Sequence, residues 1–433
     1  MPSRSAWPRC RCRNRPMLPL AHAVAQVMAE LRPLPPVELP LADAAGCVLA
    51  EAVVSPLDLP PWDNAAMDGY AVRAADVAGA SAERPVTLRV IETIAAGGAP
   101  ARRVGEGEAA AIMTGAPVPA GADSVVRVED TDGGAERVVI GASRDAGRNV
   151  RPRGEDVGEG EVVLPAGTEL RGAQLGLLAS VGVARPLVHR RPRVALLSSG
   201  DELVPVERFA EVRDGRRIVG SNAYALAALV REAGGTVVDL GIAPDDPAAL
   251  RERVRAARGC DLLVTTAGAS VGAHDYTRRV LDELGAELRF WRVRIRPGAQ
   301  LAFGVLDGMP WLGLPGNPVS ALVTFELFVR PAIRRMLGHR HAFRRPVTVR
   351  LAEPLRTAGG ADFLLRAVVE RDVGGAYVAR LTGPQGSGML SSMARANALL
   401  VVDAATPTLD AGARVPALLL GDDASFAADF FLH

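Results

Sequence analysis

Carboxylates, amides and hydroxyls gather in five short stretches of this sequence. "LPPWDNAAMDGYAVR" (59–73) packs Trp62, Asp63, Asn64, Met67, Asp68 and Tyr70 into a segment broken by two prolines and Gly69. "SSGDEL" (198–203), "APDDP" (243–247), "TTAGASVGAHDYT" (265–277) and "LPGNPVS" (314–320) each carry Gly or Pro, and three of them carry acids. Small residues with free backbone N–H groups beside a helix N-terminus make an anion cradle. The Gly268-Ala-Ser270-Val-Gly272 loop is suited to hold a phosphate or a pterin in this way. Asp201, Glu202, Asp245 and Asp275 would line the same crevice, and clustered carboxylates beside a phosphate call for a hard cation such as Mg²⁺. Plainer roles exist for some of these acids. Asp246 and Asp201 suit helix caps, and Asp63 and Asn64 suit capping of the turn before "MDGY".

Composition narrows the chemistry. All fifty basic residues of the 433 are arginine. A Walker A loop and a Schiff-base enzyme both need lysine, so neither is present. Any anion held by side-chain charge is held by the planar, bidentate guanidinium. Basic and acidic residues balance, 50 against 49, and aromatics are only 4%. These values argue against a nucleic-acid or membrane surface and against a stacking platform for single strands. The cysteines at 10, 12, 47 and 260 form no recurring CxxC pair, which fits free thiols in a reducing cytoplasm. No HExxH occurs, and no apolar run approaches the roughly 18 residues that would span a membrane. The Arg-rich segment 1–17 lacks an apolar core, so it reads as a disordered extension, with Met17 an alternative start.

Several elements must position these loops. Residues 18–31 have helical apolar spacing. Residues 85–170, rich in Val, Gly and Pro, read as a small all-β domain. From Arg191 onward, strands alternate with helices. "GSNAYALAALVREAGG" has Ser221 or Asn222 as its cap and a Gly pair as its stop, and Pro247 stands near the first turn of the next helix. Such alternation indicates a parallel sheet covered on both faces, with ligands at the carboxyl ends of its strands. After about residue 344 short strands return. "WRVRIRPG" (291–298) reads as a strand that projects Arg292, Arg294 and Arg296 to one face. The fold class is therefore α/β plus β, multidomain.

The motif series "DNAAMDGYAVR", "IMTGAPVP", "NVRPRGEDV", "SSGDEL", "GSNAYAL", "DDPAAL", "SVGAHDYT" and "LPGNPVSALVTF" resembles, in the same order, the molybdopterin molybdenumtransferase (MoeA) family, which includes the E domain of gephyrin. The resemblance runs from about Leu18 to the C-terminus. It implies insertion of molybdate into adenylylated molybdopterin with release of AMP, assisted by Mg²⁺ or another divalent cation. A pterin-binding scaffold without catalysis and a tungstate-preferring enzyme are the alternatives. The family's elongated, L-shaped subunits dimerise, and the cleft joins the β domain of one chain to the α/β domain of the other. The upstream adenylyltransferase and recipient molybdoenzymes are further partners. The implied domains are a linking domain at 36–53 and 160–185, a small β domain at 54–159, an α/β molybdopterin-binding domain at 18–35 and 186–343, and a C-terminal β domain at 344–433.

By the same resemblance Asp68, Thr114, Glu202, Asp245 and Asp275 are catalytic, and Glu202, Asp245 and Asp275 would hold the cation. Asp156, Gly268, Ser270, Gly272, Arg292, Arg296, Pro315, Gly316, Asn317, Arg366 and Ser387 would bind substrate. Two departures stand out. Arg292 and Arg296 replace family lysines, and Ala299 stands where the pattern has a third. Ala267 occupies a glycine position, where its methyl would crowd a backbone that must approach a ligand.

Overall fold

The computed structural model describes residues 17–213, 215–266 and 276–421. The chain divides into two compact units, one made of Glu38–Ala45 with Leu49–Leu187, the other of the remainder.

In the first unit, a five-stranded sheet runs in the order Ser124–Arg127, Gly69–Val72, Glu108–Ile112, Val86–Ile94, Arg137–Ile140. The strand Gly69–Val72 is buried on both faces. Tyr70 and Val72 pack with Leu88, Val126 and Val138, while Ala71 packs with Ile94, Ala110, Ile112 and Val125. Gly69 is obligatory there, because a Cβ would lie 1.9 Å from the Val126 carbonyl oxygen. Asp145 anchors one edge. It is 1% exposed, and Arg127 donates to it through Nε, Nη2 and its backbone N at 2.9, 2.9 and 3.1 Å.

Those Arg127 bonds lower the Asp145 pKa from 3.8 to about 2 against the opposing cost of burial. A depressed folded pKa supplies stability that is present above the unfolded value and is lost as pH falls through the folded one. The shift corresponds to about 2 kcal/mol. Urea unfolding at pH 6 and at pH 2 should therefore show an acid-linked loss that is about 2 kcal/mol larger in the wild type than in Asp145→Asn. Equal losses in the two proteins would remove Asp145 from the account.

The second unit is built on a six-stranded sheet ordered Thr236–Ala243, Arg193–Ser199, Leu262–Thr266, Met309–Leu314, Ala302–Leu306, Glu287–Trp291. The first four strands are parallel, as alternation of strands and helices predicts. The last two run antiparallel, so the sheet is mixed at one edge. The reason is local: Asp307 and Gly308 both take positive φ, 48° and 80°, and close a two-residue hairpin. Both faces are covered. Val194, Leu196, Leu262 and Leu312 pack on one side, while Ala195, Leu197, Leu263 and Trp311 pack on the other.

Helix ends follow partly from the sequence. Asp246 caps Pro247–Ala256 through the N–H groups of Ala248 and Ala249, at 3.1 and 2.8 Å. Helix Ser221–Glu232 differs from expectation. Gly220 is its N-cap and no side chain caps it, because the Asn222 amide is engaged elsewhere.

The C-terminal strands Asp362–Arg371, Tyr377–Leu381, Val347–Leu351, Arg414–Leu419 and Ala398–Val402 pair in sequence, and the last pairs back to the first, which closes a barrel. Ile295–Arg296 adds to Asp362–Arg371 as an outside strand, with Arg296 opposite Phe363. The stretch 291–296 is thus not one strand. Trp291 ends a strand of the mixed sheet, Arg292 turns left-handed at φ 78°, and only Ile295–Arg296 resumes extended pairing. The Arg292 backbone is fixed from outside, its carbonyl accepting from Leu18 N and its N–H donating to Leu301 O. Among the described residues, no helix is long and apolar enough to cross a membrane.

Candidate active site

The 58–63 loop is clamped to the 153–159 segment by its own acids. Asp58 accepts from Glu159 N at 2.8 Å and from the Arg153 guanidinium, and Asp63 accepts from Arg153 N at 2.7 Å. Asp63 therefore joins two distant segments instead of capping the turn before "MDGY". Asn64 is 6% exposed, and its Oδ1 has no donor. Trp62 is half exposed, with Nε1 3.5 Å from the Gly115 carbonyl oxygen.

This clamp presents Asp68. Its Oδ1 accepts from both Oγ1 and N of Thr114, each at 2.7 Å. The Thr114 hydroxyl bond, then its backbone bond, hold the Asp68 carboxyl below its ordinary value. The group is ionised at neutral pH and exposed. Asp156 also lies exposed, with its backbone N bonded to Leu59 O at 2.9 Å. Asp68 and Thr114 are thus brought together, within the first unit.

The second unit holds Glu202, Arg296, Pro315, Gly316, Asn317 and Ser387 around two cavities, and Asp245 lines neither. One, of about 330 Å³, lies at the carboxyl ends of the parallel strands, lined by Ser198, Glu202, Asn222, Thr266, Gln300 and the Pro315–Gly316–Asn317 turn among others. The Glu202 carboxylate lies back against Gly200, whose φ is 147°. A Cβ there would come within 2.6 Å of a carboxylate oxygen. Asp201 Oδ1 accepts from Asp245 N at 3.1 Å, so Asp201 braces two strand-end loops and is not a helix cap. Asn222 Nδ2 donates to Gly316 O at 2.7 Å and ties a helix start to the turn.

The other cavity, of about 650 Å³, is lined by Arg296, Ala299, Pro315, Asn317, Arg356 and Ser387, with further amides and hydroxyls from Gln300, Ser320, Thr357 and Gln385. Among the described residues no carboxylate lines it. The two cavities share Gln300, Pro315 and Asn317. Asn317 precedes helix Pro318–Thr324 without capping it. Its Nδ2 donates instead to Ser387 Oγ at 2.9 Å, and Ser387 O accepts from Val319 N.

Two arginines named from sequence stand away from these linings. Arg366 is fully buried. It donates to Ser392 Oγ and to the carbonyls of Pro384, Gln385 and Gly386, and so shapes the turn that carries Ser387. Burial lowers its pKa. The Arg292 guanidinium lies 5.9 Å from the Trp291 ring, with a buried Nε that has no partner. Gly268, Ser270, Gly272, Asp275 and Ala267 lie outside the described residues. Sequence reading passed over Gln300, Arg356 and Gln385, none of which sits in one of its quoted loops.

A mixed sheet with a loop-lined crevice at its strand ends, in a chain that also carries a closed β barrel and a separate β unit, defines a multidomain α/β plus β protein with a ligand site at its strand ends. Three family models match in order: MoeA N-terminal region (domain I and II) over residues 18–182, probable molybdopterin binding domain over 195–335, and MoeA C-terminal region (domain IV) over 348–420. Molybdopterin molybdenumtransferase 1 of Mycobacterium tuberculosis is 40% identical over 389 residues, 85% of this chain and 90% of that protein. Molybdopterin molybdenumtransferase of Nostoc sp. is 39% identical over 382 residues, 87% of each chain. The molybdopterin biosynthesis moeA protein of Pyrococcus horikoshii superposes with a TM-score of 0.79 at 29% identity, covering 93% of this chain and all of that one. The chain belongs to the MoeA family of molybdopterin molybdenumtransferases.

Proposed function

We propose that this chain inserts molybdate into the dithiolene of adenylylated molybdopterin and releases AMP. The observation that carries the reading is the pair of adjoining cavities. A space lined by arginines, amides and hydroxyls, with no carboxylate among the described residues of its wall, suits a dianion such as molybdate. The neighbouring crevice at the strand ends suits the pterin nucleotide. Gln300, Pro315 and Asn317 border both, so a dithiolene held in the crevice would lie beside the oxyanion. Arg296 and Ser387 bind molybdate, Glu202 and Asp245 work at the nucleotide phosphates, and Arg366 positions Ser387.

The donors also fit Mg²⁺. Among the described residues no three His, Cys, Asp or Glu side chains gather to hold a metal. Mg²⁺ is ordinarily held by one or two carboxylates together with substrate phosphates, without a full protein cage. Glu202 and Asp245, with Asp275, supply such oxygens, and the cation would neutralise charge at the phosphate bond being cleaved.

The enzyme works as a homodimer in the cytoplasm, with Asp68 and Thr114 of one chain completing the crevice of the other. Val206, Phe209, Ile218 and Tyr224, each about half exposed around segment 203–224, supply apolar surface for a second copy to cover. On this reading the chain holds a linking domain (36–53 and 160–185), a small β domain (54–159), an α/β domain (18–35 and 186–343) and a C-terminal β domain (344–433). The test is single turnover of adenylylated molybdopterin with the purified chain, reading AMP and molybdenum-loaded pterin by chromatography. AMP release that depends on molybdate supports the reading. Binding of the nucleotide with no AMP release would make the protein a scaffold.

A further inference from the structure

We infer that Arg356 is a second cationic ligand of the oxyanion, and that it supplies in this chain the charge that position 299 does not. The inference rests on the placing of molybdate in the arginine-lined cavity. Arg296 and Arg356 are the cations of that lining, and neither guanidinium makes a hydrogen bond or ion pair with any described residue. Other exposed arginines, Arg89, Arg144, Arg153 and Arg208 among them, are each held by a carboxylate. Two guanidiniums in one cavity that excludes carboxylates repel one another until an anion enters, and a doubly charged oxyanion matches their charge.

The backbone holds Arg356 in place while leaving its side chain free. It ends the short strand Leu355–Arg356, which pairs antiparallel with Thr408–Leu409, Arg356 opposite Thr408. Strand alternation buries Leu355 and turns Arg356 outward. The next residue is pinned by Thr357 N to Pro407 O at 2.7 Å, and Gly359 N closes the turn on Thr357 Oγ1 at 3.3 Å. At Ala299 the cavity wall is only a methyl group, so no side chain from that position can reach an anion. A guanidinium entering from Arg356 occupies this space with a fork able to take two oxygens at once.

The test is calorimetric titration of the full chain with sodium molybdate at fixed ionic strength, for the wild type, Arg296→Ala, Arg356→Ala and Arg356→Lys, with melting temperature as the folding control. The expected result is a weakening of molybdate binding by roughly ten- to a hundredfold in Arg356→Ala. Arg356→Lys should recover part of the loss, since charge survives and the fork does not. Arg296→Ala should weaken binding comparably. If Arg296→Ala weakens binding and Arg356→Ala does not, Arg356 is a solvated charge and the inference is overturned while the oxyanion cavity stands. If neither changes the affinity, the placing of molybdate in this cavity fails as well.

Discussion

Asp68→Ala should lower the turnover of adenylylated molybdopterin by about 10²–10⁴-fold, the range supplied by a positioned acid–base group, with no loss of folded protein. Thr114 occupies Oδ1 twice and keeps the carboxylate ionised, while Oδ2 has no donor among the described residues. The group is thus oriented, charged and half free, as an acceptor in a site must be. Because its pKa lies below 3.8, its contribution should persist across the neutral range. Asp68 stands in the smaller unit and Glu202 in the larger. If each crevice is completed by the partner, mixing Asp68→Ala with Glu202→Ala chains should restore activity, because one crevice of each mixed dimer is intact. Mixed dimers that form and stay inactive would sink the shared site.

The largest stability effect is expected at Glu326, in the wide helical turn Phe325–Val329. Its buried carboxylate accepts from Arg330 Nε and Nη2 and from Arg344 Nε, all at 2.8 Å. Burial works against the charge on Arg330, and the Glu326 bonds more than offset it, so the Arg330 pKa is raised. Glu326→Ala leaves Arg330, 7% exposed, without its principal counter-charge. Breaking a buried pair from one side costs about 3–5 kcal/mol, which corresponds to a fall in Tm of roughly 6–20 °C for a unit of this size. Glu326→Gln should fall between the two. A change below about 1 °C on thermal melting of Glu326→Ala would mean that the network contributes little. This turn continues the helix that starts beside Asn317, so its loss should also loosen the wall shared by the two cavities.

What could be read in the sequence was mostly local. Asp246 before Pro247 is a cap because the signal lies within three residues, whereas the hydrogen bonds between Asp68 and Thr114 join two motifs whose contact the sequence did not show. The parallel core was legible in its alternation of strands and helices. The failures came where distant segments decide. Alternating arginines at 292, 294 and 296 carry a period of two, yet Arg292 is turned left-handed by pairing with Leu18 and Leu301. Arg366 is implied as a ligand by the resemblance, and the sequence did not show that four of its five guanidinium N–H groups go to Ser392 Oγ and to the carbonyls of Pro384, Gln385 and Gly386. Arg356 reaches the oxyanion cavity only because the C-terminal barrel brings its strand there, and nothing near it in the chain marks it. The Asp-Gly hairpin at 307–308 was a readable signal that the strand–helix alternation obscured.

The central claim is that the arginine-lined cavity holds molybdate while AMP leaves the neighbouring crevice. Its most direct test is single-turnover AMP release against molybdate concentration, for the wild type and Arg296→Ala. Arg296 is exposed and its guanidinium is bonded to no described residue, so removing the side chain should leave the melting temperature nearly unchanged. Losing a charged hydrogen bond to a bound anion costs about 1.5–3 kcal/mol. The account therefore predicts that Arg296→Ala needs roughly ten to a hundred times more molybdate for the same rate, with Arg296→Lys intermediate. An Arg296→Ala protein whose AMP release follows molybdate as the wild type does would contradict it.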